Sequence, residues 1–191
     1  MPVRSNLKEV VLEYLNNHNT MTVATTDGNT PWAATVFYAN DGFTLYFISN
    51  PKICLHCQNI SRNPRVAITI DEDYRLQDLN DWKKVKGIQM LGIAEMLTRE
   101  DEISTAVKAY AKKYPFTAPY LKSMFAFPHI IPFLNKLTKK LKVVPDFSAS
   151  SENRFYKVTP QKVWFVDNET SFEKRQEVPF KEMDHGKGDP S

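Results

Sequence analysis

Three short apolar runs, separated by Asp-Gly pairs at positions 27–28 and 41–42, constrain the fold of this chain more than any other feature. Each run is rich in β-branched and aromatic residues. Asp-Gly between two such runs is a strong signal for a β-hairpin, because glycine adopts positive φ at little cost. Consecutive hairpins form a meander, and a long meander tends to curl into a barrel. With a fourth run after an Asn-Pro break, the pattern predicts strands over residues 21–26, 32–38, 44–49 and 65–70.

Helices and two further strands are expected on either side of this meander. Apolar residues at helical spacing predict an amphipathic helix over residues 6–17, which would plug or flank one end of the barrel. A short helix is expected over residues 53–59. Residues 85–97 have the pattern of a strand in which Gly87 and Gly92 mark a bulge or a corner. The other predicted elements are helices over residues 98–114 and 130–144 and a strand over residues 154–166.

The length of 191 residues suits one domain that spans residues 1–191. A Pro-rich, aromatic stretch over residues 116–153 is predicted to be a helical insertion. Lysines make the helix over residues 130–144 basic and amphipathic, which favours a cover on the barrel with a solvated face. A membrane-surface or partner-binding helix is the alternative. Residues 181–191 show no periodicity and are predicted to form a disordered tail.

Charge and composition exclude several classes of protein. The net charge of +3 is smaller than the clustered basic excess that usually marks a groove for a nucleic-acid backbone, so no nucleic-acid partner is predicted. No apolar run reaches the length of a membrane span, and the N-terminus lacks the apolar core of a signal peptide. Two cysteines, three residues apart, do not form a secreted disulfide framework. We therefore predict a cytoplasmic protein without membrane contact.

Cys54, His56 and Cys57 form a C-x-H-C pattern. A zinc site needs four ligands, and the neighbouring sequence offers no second pair, so no metal is predicted. A thioredoxin-type redox motif would need a different flanking fold. Two partly buried thiols on a short helix are the favoured interpretation.

Several short motifs recur in a fixed order along the chain. Pro31-Trp32 precedes the second strand, Ser49-Asn50-Pro51 follows the third, and His56 lies in the next helix. This series resembles the pyridoxamine 5'-phosphate oxidase-like family of FMN-binding split barrels, and most of all its uncharacterised bacterial branch. The likeness covers residues 6–97 and 154–177. Its later motifs are Gly87–Gly92, Asp167-Asn168, Phe172 and Arg175.

The resemblance implies a mainly β fold with flanking helices, namely a six-stranded FMN-binding split β-barrel. It implies a homodimer with FMN in a groove between the subunits. The flavin ring would lie along the second and third strands. The matching positions are Ala34, Thr35 and Val36 on the second strand and Ile48 and Ser49 on the third.

The chain departs from the oxidase pattern at the phosphate site. Ala34 and Leu55 stand where true oxidases have cations, and the C-terminal Arg-Leu-x-Pro of those enzymes is absent, so oxidation of pyridoxamine phosphate is not expected. The remaining candidates for phosphate binding are Lys52, His56 and Arg175. Gln89 is either a flavin contact or an amide satisfied within the barrel.

The resemblance leaves three functions open. The first is an FMN-dependent oxidoreductase acting on a small molecule, for which no catalytic acid or base is assigned because the flavin carries the electron chemistry. The second is a non-enzymatic flavin- or haem-binding carrier or sensor, in which His129 is a possible axial haem ligand. The third is a barrel that has lost its cofactor and keeps only a dimer interface.

Overall fold

The structure is a computed structural model that describes residues 6–125, 127–139, 152–172 and 174–180. Seven strands and five helices are assigned in these residues, together with short 3₁₀ turns at Asp81–Lys84 and Pro115–Thr117. They are α1 (Leu7–Asn17), β1 (Thr20–Thr26), β2 (Pro31–Asp41), β3 (Thr44–Ser49), α2 (Leu55–Arg62), β4 (Arg65–Asp71), β5 (Lys86–Met96), α3 (Glu100–Lys113), α4 (Ala118–Met124), α5 (Ile131–Thr138), β6 (Arg154–Asp167) and β7 (Arg175–Glu177). The predicted tail, residues 181–191, lies outside the described residues.

The strands form one antiparallel sheet in the order β3-β2-β1-β4-β5-β6-β7. β3 also pairs with β6, which closes the first six strands into a barrel. The predicted six-stranded split barrel is therefore confirmed. β7 is an additional strand that pairs with the second half of β6, from Trp164↔Glu177 to Val166↔Arg175.

The barrel interior is an apolar core built from alternate residues of each strand. Val23, Tyr38 and Leu45 are fully buried there. α1 closes one end, since Val11 and Leu15 on its apolar face are also fully buried, and the Tyr38 hydroxyl donates to the Leu15 carbonyl at 2.8 Å. The predicted amphipathic helix thus plugs the barrel.

β5 contains the irregularity that its glycines predict. Its pairing with β6 shifts register between Leu91 and Gly92. A Cβ added at Gly92 would lie 2.8 Å from the Thr159 carbonyl oxygen, so only glycine allows the two strands to approach this closely.

A second apolar core lies outside the barrel. α3, α4 and α5 cover the outer sides of β2, β3 and β6, where Ala39, Tyr46 and Phe155 are buried. From the segment predicted to be an insertion, Leu121, Ile130 and Leu134 are fully buried in the same core. α4 and α5 therefore have an apolar face that packs against the barrel. No described helix is both long and apolar enough to span a bilayer.

The clearest differences from the predicted elements concern α2, α5 and β7. α2 begins at Leu55 rather than at residue 53, because a turn closed by the Cys54 N–H donating to the Asn50 carbonyl precedes it. α5 ends at Thr138, and residues 140–144 lie outside the described part of the chain. β7 was not predicted, because three residues are too short to show alternation.

We expect Leu134→Ala to reduce the free energy of unfolding by about 3 kcal/mol, because it removes a fully buried side chain and leaves a cavity. Lys136→Ala is the matched control, since Lys136 lies on the exposed side of the same helix. Urea unfolding of both variants tests whether α5 is part of the folded core. An equally small loss of unfolding free energy in both variants would contradict the placement of α5 in the core.

Candidate functional site

The candidate site is a gap between β2 and β3. The two strands pair only from Tyr38↔Phe47 to Asp41↔Thr44. Beyond Tyr38, β2 continues along β1, whereas β3 continues along β6 to Ser49↔Arg154. The strands therefore diverge, and residues 31–37 and 48–49 form the two edges of the gap. Backbone groups on these edges can pair with a bound molecule instead of with the other strand.

Five residues predicted to contact a flavin lie along this gap. Ala34, Thr35 and Val36 are on the β2 side, where Ala34 and Val36 pack against the barrel core and Thr35 is exposed. Ile48 and Ser49 are on the β3 side. Ile48 faces the helical layer, whereas Ser49 is buried. The structure thus places the two predicted groups on the two strands that separate.

His56 points into the protein. Its side chain is buried, and its Nε2 lies 2.7 Å from the Ser49 hydroxyl. Burial lowers the pKa of His56, which keeps the imidazole neutral near pH 7. A neutral, buried ring holds the end of β3 against α2 and is a weak partner for an anion. Phosphate binding by His56 stays a prediction.

α2 is fixed to β1 by a second buried polar contact that the sequence did not indicate. The Asn59 amide donates to the Thr25 hydroxyl at 3.2 Å, and both residues are almost fully buried. The Thr25 hydroxyl in turn donates to the Trp32 carbonyl at 3.4 Å. Together with Ser49–His56, this contact fixes α2 beside the gap.

Lys52 is the cation nearest in sequence to the end of β3. Its ammonium lies 3.0 Å from the Glu152 carboxylate, and its side chain is 68% exposed. An ion pair this exposed is weak, so Lys52 can exchange the Glu152 carboxylate for another anion. Phosphate binding by Lys52 stays a prediction.

Gln89 and Arg175 lie on another part of the barrel. The Arg175 guanidinium donates to the Gln89 side-chain oxygen at 3.2 Å, and its central carbon is 4.4 Å from the centroid of the Trp164 ring. We call these three residues the Arg175 group. β7 creates it, because β7 starts at Arg175 and pairs with β6 beside Trp164.

Cross-strand register shows how far the Arg175 group is from the gap. On the outer face, Thr35 pairs with Thr22, Thr22 with Thr69, and Thr69 with Gln89. Three strand spacings of about 4.8 Å separate Thr35 from Gln89, or roughly 14 Å across the sheet. In one chain, the predicted cofactor residues therefore lie in two separate places, along the gap and in the Arg175 group.

His129, the possible haem ligand, lies in the helical layer. Its Nε2 is 2.7 Å from the Ser104 hydroxyl, and its Nδ1 is 3.4 Å from the Glu100 carboxylate. A bond to iron would require one of these contacts to break. Within the described residues, no three His, Cys, Asp or Glu side chains converge as a metal site would require.

The model of the pyridoxamine 5'-phosphate oxidase family matches residues 7–167. This match covers most of the chain, so the protein belongs to the pyridoxamine 5'-phosphate oxidase family. No curated protein matches the sequence.

Solved structures share the fold at low sequence identity. A haem-binding protein from Mycobacterium smegmatis matches with a TM-score of 0.59 at 19% identity, over 92% of this chain and 58% of its own. HutZ, a haem storage protein from Vibrio cholerae, matches with a TM-score of 0.54 at 16% identity, over 83% and 93% of the two chains. A candidate pyridoxamine 5'-phosphate oxidase from Listeria innocua has a TM-score of 0.53 at 16% identity, over 85% and 99%.

The burial of His56 predicts a specific pH dependence of stability. Because its pKa is lowered by folding, the unfolded chain binds more protons below about pH 6.5, and the free energy of unfolding falls as pH decreases through that range. We expect His56→Gln, which keeps a polar side chain near Ser49, to lose less stability between pH 7 and pH 5 than the wild type does. Urea unfolding at several pH values measures this slope. The wild type is the reference, and an unchanged slope in His56→Gln would contradict the assignment.

Proposed function

We propose that this protein binds FMN in the gap between β2 and β3 and acts as an oxidoreductase on a small molecule. The observation that carries this proposal is the end of β2–β3 pairing at Tyr38↔Phe47. Residues 31–37 of β2 and 48–49 of β3 therefore have no ladder partner on the other strand. A flavin ring has both donors and acceptors along one edge, which such strands can match.

The phosphate would be held by charged groups that are accessible in the fold. Lys52 lies just after β3 and is mostly exposed, and the Arg175 guanidinium is exposed on the outer face. Arginine binds phosphate with two hydrogen bonds and stays charged at any relevant pH. The flavin supplies the electron transfer, while the chain binds and orients it. No side chain is assigned as an acid or a base.

A second copy of the chain would complete the site. Within a single chain, Gln89 of the Arg175 group lies three strands from Thr35 on the β2 edge of the gap, whereas Lys52 follows β3 at the other edge. The outer face of the barrel also carries exposed apolar side chains, with Phe37 63% and Leu91 44% exposed. Exposed apolar area of this kind marks an interface, and a two-fold homodimer buries the same patch on both copies. The Arg175 group of one subunit would then face the gap of the other.

A haem-binding carrier is the second candidate, because two of the structural relatives are described as haem proteins. The histidines of the described residues favour flavin instead. His18, His56 and His129 each have a ring nitrogen bound to another group of the chain, whereas flavin needs no axial ligand. His185 lies outside the described residues. A cytoplasmic location fits either cofactor.

The first test identifies the cofactor and its phosphate contacts. Purified protein is expected to be yellow and to bind FMN in a fluorescence titration. Arg175→Ala should weaken FMN binding roughly ten- to a hundred-fold, through loss of a charge-assisted contact, and Lys52→Ala should have a smaller effect. Riboflavin, which lacks the phosphate, should bind all three proteins about equally. Red-brown protein would favour haem, and FMN binding unchanged in both variants would contradict the phosphate site.

The second test asks whether two chains share each site. Lys52→Ala and Arg175→Ala chains are unfolded together and refolded as a mixture. Random pairing should give hybrid dimers with one intact site each, so about a quarter of all sites regain wild-type affinity. Each variant refolded alone is the control. A monomer by light scattering, or no recovery in the mixture, would contradict a shared site without excluding flavin binding.

A further inference from the structure

Cys54 and Cys57 occupy the first turn of α2. Cys54 is the residue that precedes the helix, and the Cys57 N–H donates to the Cys54 carbonyl at 3.0 Å. A turn closed in this way holds the two Cα atoms within about 7 Å of each other. Disulfides span Cα separations of about 4.4–6.8 Å, so the backbone already has a geometry that accepts one.

The surroundings of the two sulfur atoms differ. Cys54 is partly exposed, whereas Cys57 is buried. The Cys57 sulfur lies beside the Cys54 thiol and the hydroxyls of Ser49 and Tyr156. Burial raises the pKa of the Cys57 thiol, while the two hydroxyls act in the opposite direction by donating to its thiolate. An external reagent therefore meets Cys54 first, and Cys57 lies behind it with a thiol pKa that burial raises on balance.

We propose that Cys54 and Cys57 form a reversible disulfide by exchange with a low-molecular-weight disulfide such as oxidised glutathione. The Cys54 thiolate attacks one sulfur of the reagent, its S–S bond breaks, and one thiolate leaves and takes up a proton. The Cys57 thiolate then attacks the Cys54 sulfur of the mixed disulfide and releases the second thiolate, which is also protonated. The two cysteines lose two electrons and two protons, and the reagent becomes two thiols.

This exchange reaches the candidate site through Ser49. The Ser49 hydroxyl lies beside the Cys57 sulfur and also contacts His56 Nε2 at 2.7 Å. When Cys57 becomes part of a disulfide, its thiol hydrogen is lost and its sulfur moves towards Cys54. Ser49 then has a different neighbour, and the His56 ring beside the gap has a different environment. The disulfide would thereby couple the redox state of the solution to the environment of Ser49 and His56 beside the gap.

The test uses the full chain in buffers of reduced and oxidised glutathione, followed by alkylation of free thiols and intact-mass measurement. Wild type should pass from two alkylated thiols to none, with a loss of two hydrogen atoms and no bound glutathione. Cys57→Ser should accumulate a mixed disulfide at Cys54. Cys54→Ser should react about tenfold more slowly than Cys57→Ser, since the remaining thiol is buried.

Two further variants test the environment of Cys57. Tyr156→Phe removes a hydroxyl beside the Cys57 sulfur, so ring closure should slow and the mixed disulfide should become detectable. Tyr46→Phe is the matched control, because Tyr46 is buried in the outer core. In flavin-free protein, oxidation should also shift the His56 ring signals in NMR spectra, an effect that does not depend on cofactor binding.

Three results for the wild type would overturn the proposed disulfide. The protein could keep both thiols in oxidised glutathione, stop at the mixed disulfide, or link two chains through Cys54. Oxidation that unfolds the protein, which circular dichroism would reveal, would also overturn it. An unchanged His56 signal in the oxidised protein would overturn the coupling to the gap. None of these results depends on whether FMN binds.

Discussion

The hydrogen bonding of β3 determines both how the barrel closes and where it has a gap. β3 pairs with β2 through residues 44–47 and with β6 through residues 45–49. A strand that was paired along its whole length on both sides would give a closed barrel with no open edge. Here the pairing with β6 closes the barrel, while the early end of pairing with β2 leaves part of each strand without the other as its ladder partner. The same strand therefore supplies both the stability of the barrel and its opening.

Buried polar contacts hold α2 against two strands of the barrel. Ser49–His56 joins α2 to the end of β3, and Thr25–Asn59 joins it to β1. Each buried partner would be costly to leave unpaired, so these contacts specify one position of the helix. On the outer side of the barrel, α3 and the residue that follows it also hold β2 by hydrogen bonds. The Tyr110 hydroxyl donates to the Phe37 carbonyl and the Tyr114 hydroxyl to the Tyr38 carbonyl, which are the β2 positions where pairing with β3 ends.

Much of the barrel could be predicted because its signals are local. Gly28 and Gly42 have φ values of 106° and 57°, and these turns follow directly from the two Asp-Gly pairs. Burial alternates along β1 and β4, so their strand patterns were visible in the sequence. The shift of register at Gly92 was also foreseeable, since glycine within a strand often marks such a point.

The arrangement of the site was less predictable, because it depends on contacts between distant residues. Asn59 and Thr25 are 34 positions apart, and neither belongs to a pattern that requires the other. The Arg175 group depends on β7, whose three residues gain their strand conformation only from pairing with β6. Motif order named Gln89 and Arg175 individually, but it could not show that they contact each other or that Gln89 lies three strands from Thr35. That separation follows from barrel register alone.

The fold is complete in one chain, whereas the proposed cofactor site needs two chains. A single chain contains every strand of the barrel, and its core is complete without a partner. The Arg175 group, however, lies three strands from the β2 edge of the gap, on an outer face that exposes Phe37 and Leu91. A dianionic phosphate needs several convergent donors, because each charge-assisted hydrogen bond contributes only about 1.5–3 kcal/mol. Two-fold association would bring those donors together and cover the apolar face in the same step, so in the proposed dimer assembly and cofactor binding depend on one surface.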